Sequence, residues 1–185
     1  MGDQPTRVLF VCLGNICRSP LAEGVFAHLA KERGVIDRFY VDSAGTGGWH
    51  SGEAPDPRMT KVAKKRGVAL TSVARKVEPR RDFPDADGEG GFDVVVAMDQ
   101  ENLEALLKAG CPSDRLSLLR SHDPAMEGKS GAALEVPDPY YGGADGFEEV
   151  YDLVLAACQG LLDGLAPGSR LPDPPAEEAE SDEAG

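Results

Sequence analysis

A chain of 185 residues with 41% apolar content is long enough for one domain with a substantial core. Its formal net charge of −13 argues against nucleic acid or an anionic membrane as a partner. No stretch approaches the roughly 18 consecutive apolar residues of a membrane span, and the N-terminus lacks the basic and long apolar runs of a signal peptide. Residues Met1 to Thr6 fit the loose myristoylation pattern, but two fixed positions make a weak motif. A soluble, cytoplasmic protein is the expectation. The four cysteines, Cys12, Cys17, Cys111 and Cys158, have neither the number nor the spacing of a disulfide framework or a zinc site. Reduced thiols are expected, with no metal and no organic cofactor implied.

The first predicted element is the apolar, β-rich run Arg7 to Cys12, which reads as a buried strand. A loop with Gly14 and Asn15 follows. Ser19-Pro20 then has the form of a helix start, with serine as N-cap and proline in the first turn. Leu21, Val25, Phe26 and Leu29 give that helix an apolar face, and Gly34 ends it. Phe39 to Val41 predicts a second strand, leading into a Gly-rich loop from Ala44 to Gly52. Asp56-Pro57 opens a second helix with Val62 and Ala63 inward and Gly67 beyond its end. Residues 80–91, with Pro84, Gly88, Gly90 and Gly91, read as a mobile loop. Asp93 to Ala97 is the clearest buried strand, followed by a helix from about Gln100 to Ala109 with Leu103, Leu106 and Leu107 inward. Leu116 to Leu119 is a candidate fourth strand. After a long loop to Gly146, Phe147, Val150, Val154, Ala157 and Leu161 recur at helical spacing.

Strands alternating with helices predict one three-layer α/β domain with a four-stranded parallel sheet covered on both faces. The domain is expected over residues 1–166. From Pro167 onward six acids, a single basic residue (Arg170) and few large apolar side chains predict a disordered acidic tail over residues 167–185.

The chemically informative stretch is Cys12-Leu13-Gly14-Asn15-Ile16-Cys17-Arg18-Ser19. It joins a buried strand to a helix, the place where ligands bind in open α/β sheets. A tight loop's N–H groups and the positive end of the helix make an anion site there. Gly14 and Asn15 tolerate left-handed backbone, and Arg18 offers a fork matched to two phosphate oxygens. A thiol in that positive field is biased towards thiolate. Sulfur attack on a bound phosphoryl group suits this set. Neither G-x-G-x-x-G nor a Gly-Lys-Ser/Thr loop is present. A lone cysteine at a strand end would ordinarily be core filling, but here it shares one junction with an arginine and two permissive turn residues.

The run Val8 to Glu23 resembles the signature of the low-molecular-weight protein tyrosine phosphatases, whose C-x5-R loop lies near the N-terminus. The likeness continues in Asp42-Ser43-Ala44-Gly45-Thr46, Pro55-Asp56-Pro57-Arg58, Ala74-Arg75, Met98-Asp99 and Asp138-Pro139-Tyr140-Tyr141-Gly142, in family order over residues 7 to about 164. The resemblance implies a phosphocysteine mechanism with Cys12 as nucleophile, Arg18 as phosphate clamp and Asp138 as general acid and then base. It also implies a phosphate-binding loop of Leu13, Gly14, Asn15, Ile16, Cys17 and Ser19, holding phosphate or another oxyanion. Ser19 would hydrogen-bond the Cys12 thiolate, and Asn15, backed by Ser43, would hold the loop's shape. Trp49, Tyr140 and Tyr141 match positions at the entrance, where flat faces suit a phenyl ring. The implied partner is a phosphotyrosine-containing protein. In this family the two loop cysteines can form a reversible disulfide that protects the nucleophile, a role open to Cys12 and Cys17.

The family often has a histidine two residues before the Ala-Arg pair, where Ser72 stands here. A change in loop rigidity, with catalysis retained, is the expectation. The loops at residues 80–91 and 123–136 also look longer than usual. Thioredoxin-coupled arsenate reductases share the loop but need further cysteines mid-chain, and residues 76–98 contain none. Protein arginine phosphatases are the closer alternative, but they carry threonine where Ile16 stands. Ile16 with Tyr140 and Tyr141 points to phosphotyrosine. A silent phosphotyrosine-binding module would not need the intact set of Cys12, Arg18 and Asp138.

Overall fold

A computed structural model describes residues 4–169. The myristoylation pattern at Met1 to Thr6 and the acidic tail therefore fall largely outside the described residues. Four strands, β1 (Thr6–Cys12), β2 (Phe39–Gly45), β3 (Val94–Ala97) and β4 (Leu116–Leu118), form one parallel sheet in the order β2-β1-β3-β4. Helices α1 (Arg18–Glu32), α2 (Pro57–Lys65) and α5 (Ala144–Leu165) cover one face. A short α3 (Pro79–Asp82) and α4 (Gln100–Lys108) lie on the other.

The alternation along β1 explains the three layers. Val8, Phe10 and Cys12 join the core beneath α1 and α5, while Leu9 and Val11 join the smaller core with Phe83, Phe92 and Leu106. Both faces are buried, so the strand has no polar side and reads as a continuous apolar run. The sheet order reverses direction between β1 and β3, which leaves a crevice beyond their carboxyl ends. Among the described residues no helix is long and apolar enough to cross a membrane.

Several local details differ from the expectations. Helix α1 begins at Arg18, its N-cap is Cys17, and Ser19 caps nothing, because its hydroxyl is recruited by Cys12 and Asn15. Gly14 keeps an ordinary backbone; Asn15, with φ +56°, is the one non-glycine residue at positive φ among the described residues. Leu107 is exposed, leaving Leu106 as the buried anchor of α4 with Leu103 partly buried. Residues 80–91 are not structureless, since α3 enters them and Asp82 is wholly buried. Residues 123–136 likewise contain two 3-10 turns.

Candidate active site

The loop after β1 is built so that its carbonyls point away from its centre. Thr46 N–H donates to Cys12 O, Gly47 N–H to Leu13 O, and Asp56 N–H to Ile16 O, at 2.8–2.9 Å. Among the described residues the N–H groups of Leu13, Gly14, Ile16 and Cys17 donate to no protein acceptor, and that of Asn15 donates to Cys12 Sγ at 3.3 Å. N–H groups without a protein acceptor, at the start of a 15-residue helix, suit the binding of an anion. Gly45 makes the crossing possible, because a Cβ there would lie 2.7 Å from Leu13 O and 2.8 Å from Gly47 O.

Asn15 holds the loop in its left-handed bend. Its Nδ2 donates to Ser19 Oγ at 2.7 Å and Ser43 Oγ at 3.0 Å, and its Oδ1 accepts from Arg75 N–H at 3.0 Å. The amide orientation follows from those partners. Ser19 Oγ accepts from Asn15, so its own proton can go to Cys12 Sγ at 3.0 Å, the nearer of its two acceptors, the other being Ala44 O at 3.4 Å. Ser43 passes its proton in the other direction, to Glu23 Oε2 at 2.5 Å. Burial raises the Glu23 pKa, with Asp42 adding to the rise, against the opposing hydrogen bond from Ser43. Among the described residues Ser72 makes no hydrogen bond to Asn15; it meets the network at Glu23, where its hydroxyl opposes the rise in the Glu23 pKa.

Arg18 is almost fully buried. Its Nη1 donates to Asp99 Oδ2 at 2.6 Å and Val136 O at 3.0 Å, and its Nη2 donates to Asp138 Oδ2 at 3.2 Å. Burial alone would lower the arginine's pKa, but Cys12, Asp99 and Asp138 outweigh it and keep the guanidinium charged. Asp99, whose Oδ1 also caps α4 by accepting from Asn102 N–H, is a site residue the sequence shows only as half of a Met-Asp pair. Arg75, Glu23, Arg58 and His50 were likewise not assigned roles. Nothing in their local spacing could assign them, because their partners lie on other elements.

Above the loop is a cavity of about 320 Å³ lined by Cys12, Ile16, Arg18 and Asp138 below and by Trp49, His50, Tyr140 and Tyr141 at its mouth. The tyrosine rings meet edge to face at 4.9 Å, and Trp49 and Tyr141 are 72% and 93% exposed, far from core packing. His50 Nδ1 lies 2.8 Å from Glu53 Oε2. Every site residue predicted from the sequence thus lies at the loop, in its support or at this mouth.

Cys17 sits in the same loop under different conditions. Burial first, then the charges of Asp56, Cys12 and Asp138, push its thiol up to about 12. Burial also raises Cys111, to about 11, and Cys158. Only thiolates alkylate readily. Iodoacetate at pH 7 is therefore expected to modify Cys12 alone, inorganic phosphate to slow it, and peptide mapping to find the other three cysteines unmodified. Modification of Cys17 at a comparable rate would contradict this.

A family model described as low molecular weight phosphotyrosine protein phosphatase matches residues 7–170. The chain is 46% identical to a low molecular weight protein-tyrosine-phosphatase of Streptomyces coelicolor over 160 residues, covering 84% of this chain and 91% of the relative. A crystal structure of a protein tyrosine phosphatase from Entamoeba histolytica superposes with a TM-score of 0.76 at 38% identity, covering 89% of this chain and 99% of that one. A Drosophila arginine phosphatase structure matches with a TM-score of 0.74 at 33% identity, covering 87% and 98%.

Proposed function

The chain belongs to the low molecular weight phosphotyrosine protein phosphatase family, and on that premise we propose that it hydrolyses phosphotyrosine in proteins through Cys12, Arg18 and Asp138. The carrying observation is the geometry around Cys12, whose sulfur receives hydrogen bonds from Ser19 and Asn15 inside a cradle of inward N–H groups. Those donors favour the thiolate, and the same cradle suits three phosphoryl oxygens.

In the first step Cys12 Sγ attacks phosphorus and the bond to the tyrosyl oxygen breaks. Arg18, its Nη1 fixed by Asp99, turns its fork onto the equatorial oxygens. Asp138 gives its proton to the leaving phenolate. In the second step water attacks phosphorus, Asp138 takes the water's proton, and the sulfur–phosphorus bond breaks to release inorganic phosphate and restore the thiolate. The chain's own groups supply every proton movement.

Phosphotyrosine is favoured over phosphoarginine by the cavity walls. Ile16 presents a hydrocarbon side chain with no acceptor for a guanidinium, and Trp49, Tyr140 and Tyr141 offer aromatic faces at the mouth. The four free cysteines support a reducing compartment such as the cytoplasm.

The test is hydrolysis of phosphotyrosine, phosphoarginine and phosphoserine peptides by the wild type and by Asp138→Asn. Phosphotyrosine preference is expected, with Asp138→Asn reducing kcat by roughly 10²- to 10³-fold, the usual contribution of a positioned general acid. Preference for phosphoarginine would overturn the reading of Ile16, and an undiminished Asp138→Asn would remove Asp138 from the chemistry.

A further inference from the structure

Arg58 joins two loops of the site that no other side chain connects in the same way. Its Nε and Nη2 form a fork on the Asp56 carboxylate at 3.0 and 2.8 Å, and its Nη1 donates to Tyr140 O at 3.2 Å. The guanidinium lies 5.4 Å from the centre of the Tyr140 ring and 4.6 Å from that of Phe147, a fully buried residue of α5. Asp56 is itself fixed on the nucleophile's side, since its N–H donates to Ile16 O at 2.8 Å. Tyr140 N–H in turn donates to Asp138 Oδ1 at 3.1 Å. The connections run from the loop of Cys12 through Asp56, Arg58 and Tyr140 to the carboxyl group of Asp138.

We propose that Arg58 is a positioning residue that holds Asp138 over the phosphate-binding loop by tethering the Tyr140 backbone to Asp56. The inference rests on the reading of Asp138 as general acid. Among the described residues, Arg58 is the one side chain outside residues 138–143 that hydrogen-bonds residues 139–143. The remaining direct restraint on Asp138 is Arg18 Nη2 at 3.2 Å. A phosphoryl group that engages the Arg18 fork removes that restraint, so during turnover the Arg58 tether carries the placement of Asp138. The role requires arginine: one planar group satisfies two carboxylate oxygens, a carbonyl and two ring faces, which a lysine's single ammonium cannot reproduce. Capping of α2 does not explain the reach to Tyr140, because the Asp56 cap is made with the Arg58 backbone N–H at 2.8 Å.

Leaving-group dependence separates placement of an acid from general damage. Phenyl phosphate releases a phenol with a pKa of about 10, like tyrosine, and needs the proton; p-nitrophenyl phosphate releases a much stronger acid and needs it less. Arg58→Met is expected to lower kcat/KM, which reports transfer to Cys12 and not the later hydrolysis, by about 10-fold on phenyl phosphate, a fraction of a full general-acid contribution, and by about 2-fold or less on p-nitrophenyl phosphate. In the Asp138→Asn background the same substitution should add nothing on either substrate. Arg58→Lys, which keeps the charge and one contact, should show the same discrimination at smaller size and stands in if Arg58→Met does not fold, as judged by thermal unfolding. Equal losses on both substrates, or a loss that persists beside Asp138→Asn, would overturn the tether. If Asp138→Asn itself fails to discriminate between the substrates, the general-acid reading is what fails, and the catalytic role of Arg58 falls with it.

Discussion

Cys12→Ser is expected to abolish turnover, lowering kcat by about 10⁴-fold or more, while phosphotyrosine peptides still bind. The groups around the sulfur explain both halves of that result. Ser19 Oγ at 3.0 Å and Asn15 N at 3.3 Å are placed to donate, and Arg18 is held as a cation. These groups stabilise an anion, but none of them can take a proton from a serine hydroxyl. An alcohol at this position stays un-ionised at neutral pH and does not attack phosphorus. The N–H groups of the loop and the Arg18 fork are unchanged by the substitution, so the phosphoryl site persists. Stopped assays of phosphate release and calorimetric titration with a phosphotyrosine peptide measure the two halves. Residual turnover within about 10-fold of the wild type would place the nucleophile elsewhere.

Arg75→Met is expected to destabilise the fold by about 3–5 kcal/mol, the cost of leaving a buried charge without its partner. Arg75 donates to Asp82 from both terminal nitrogens, at 2.9 and 3.1 Å, and to Asp42 from Nε and Nη2, at 3.1 and 2.9 Å. Asp82 has no solvent exposure, so removing the guanidinium strands its carboxylate, with Glu78 N–H at 2.8 Å and the more distant Arg81 as its remaining neighbours. Burial by itself would lower the pKa of Arg75, but Asp82 and Asp42 reverse that effect. Against a typical total of about 5–15 kcal/mol, the loss is a large share of the stability. The same arginine positions Asn15 through its backbone N–H, which a methionine retains, so any folded fraction should keep its activity. Urea unfolding followed by fluorescence gives the first quantity, and activity per folded molecule gives the second. A change in stability below about 1 kcal/mol would mean that Asp82 finds other partners or takes up a proton.

The legible parts of this protein are those whose cause is local. Arg7 to Cys12 announces β1 because both of its faces are apolar, and Asp56-Pro57 announces α2 because a carboxylate before a proline caps the helix that follows. Ser19-Pro20 carries a similar local signal, and there it misleads. The serine could cap a helix, but a tertiary demand from Cys12 and Asn15 takes its hydroxyl, and the helix begins two residues earlier. Leu107 misleads in the opposite way, since helical spacing places it near the apolar face while the packing of α4 reaches only as far as Leu106.

The sequence by itself determined that a thiol, a permissive bend and an arginine lie within eight residues at a strand-to-helix junction, because backbone propensity and spacing act over that range. Asp138 came within reach only through resemblance, since no periodicity links residue 138 to residue 12. The tertiary structure alone decided which charges serve that junction. Asp99 arrives from the end of β3 to fix Arg18, Arg75 arrives to orient Asn15, and Arg58 arrives to anchor Tyr140. The physical reason is that a hydrogen bond requires atoms about 3 Å apart, and for partners 60 to 82 residues distant the sheet order and helix packing create that proximity.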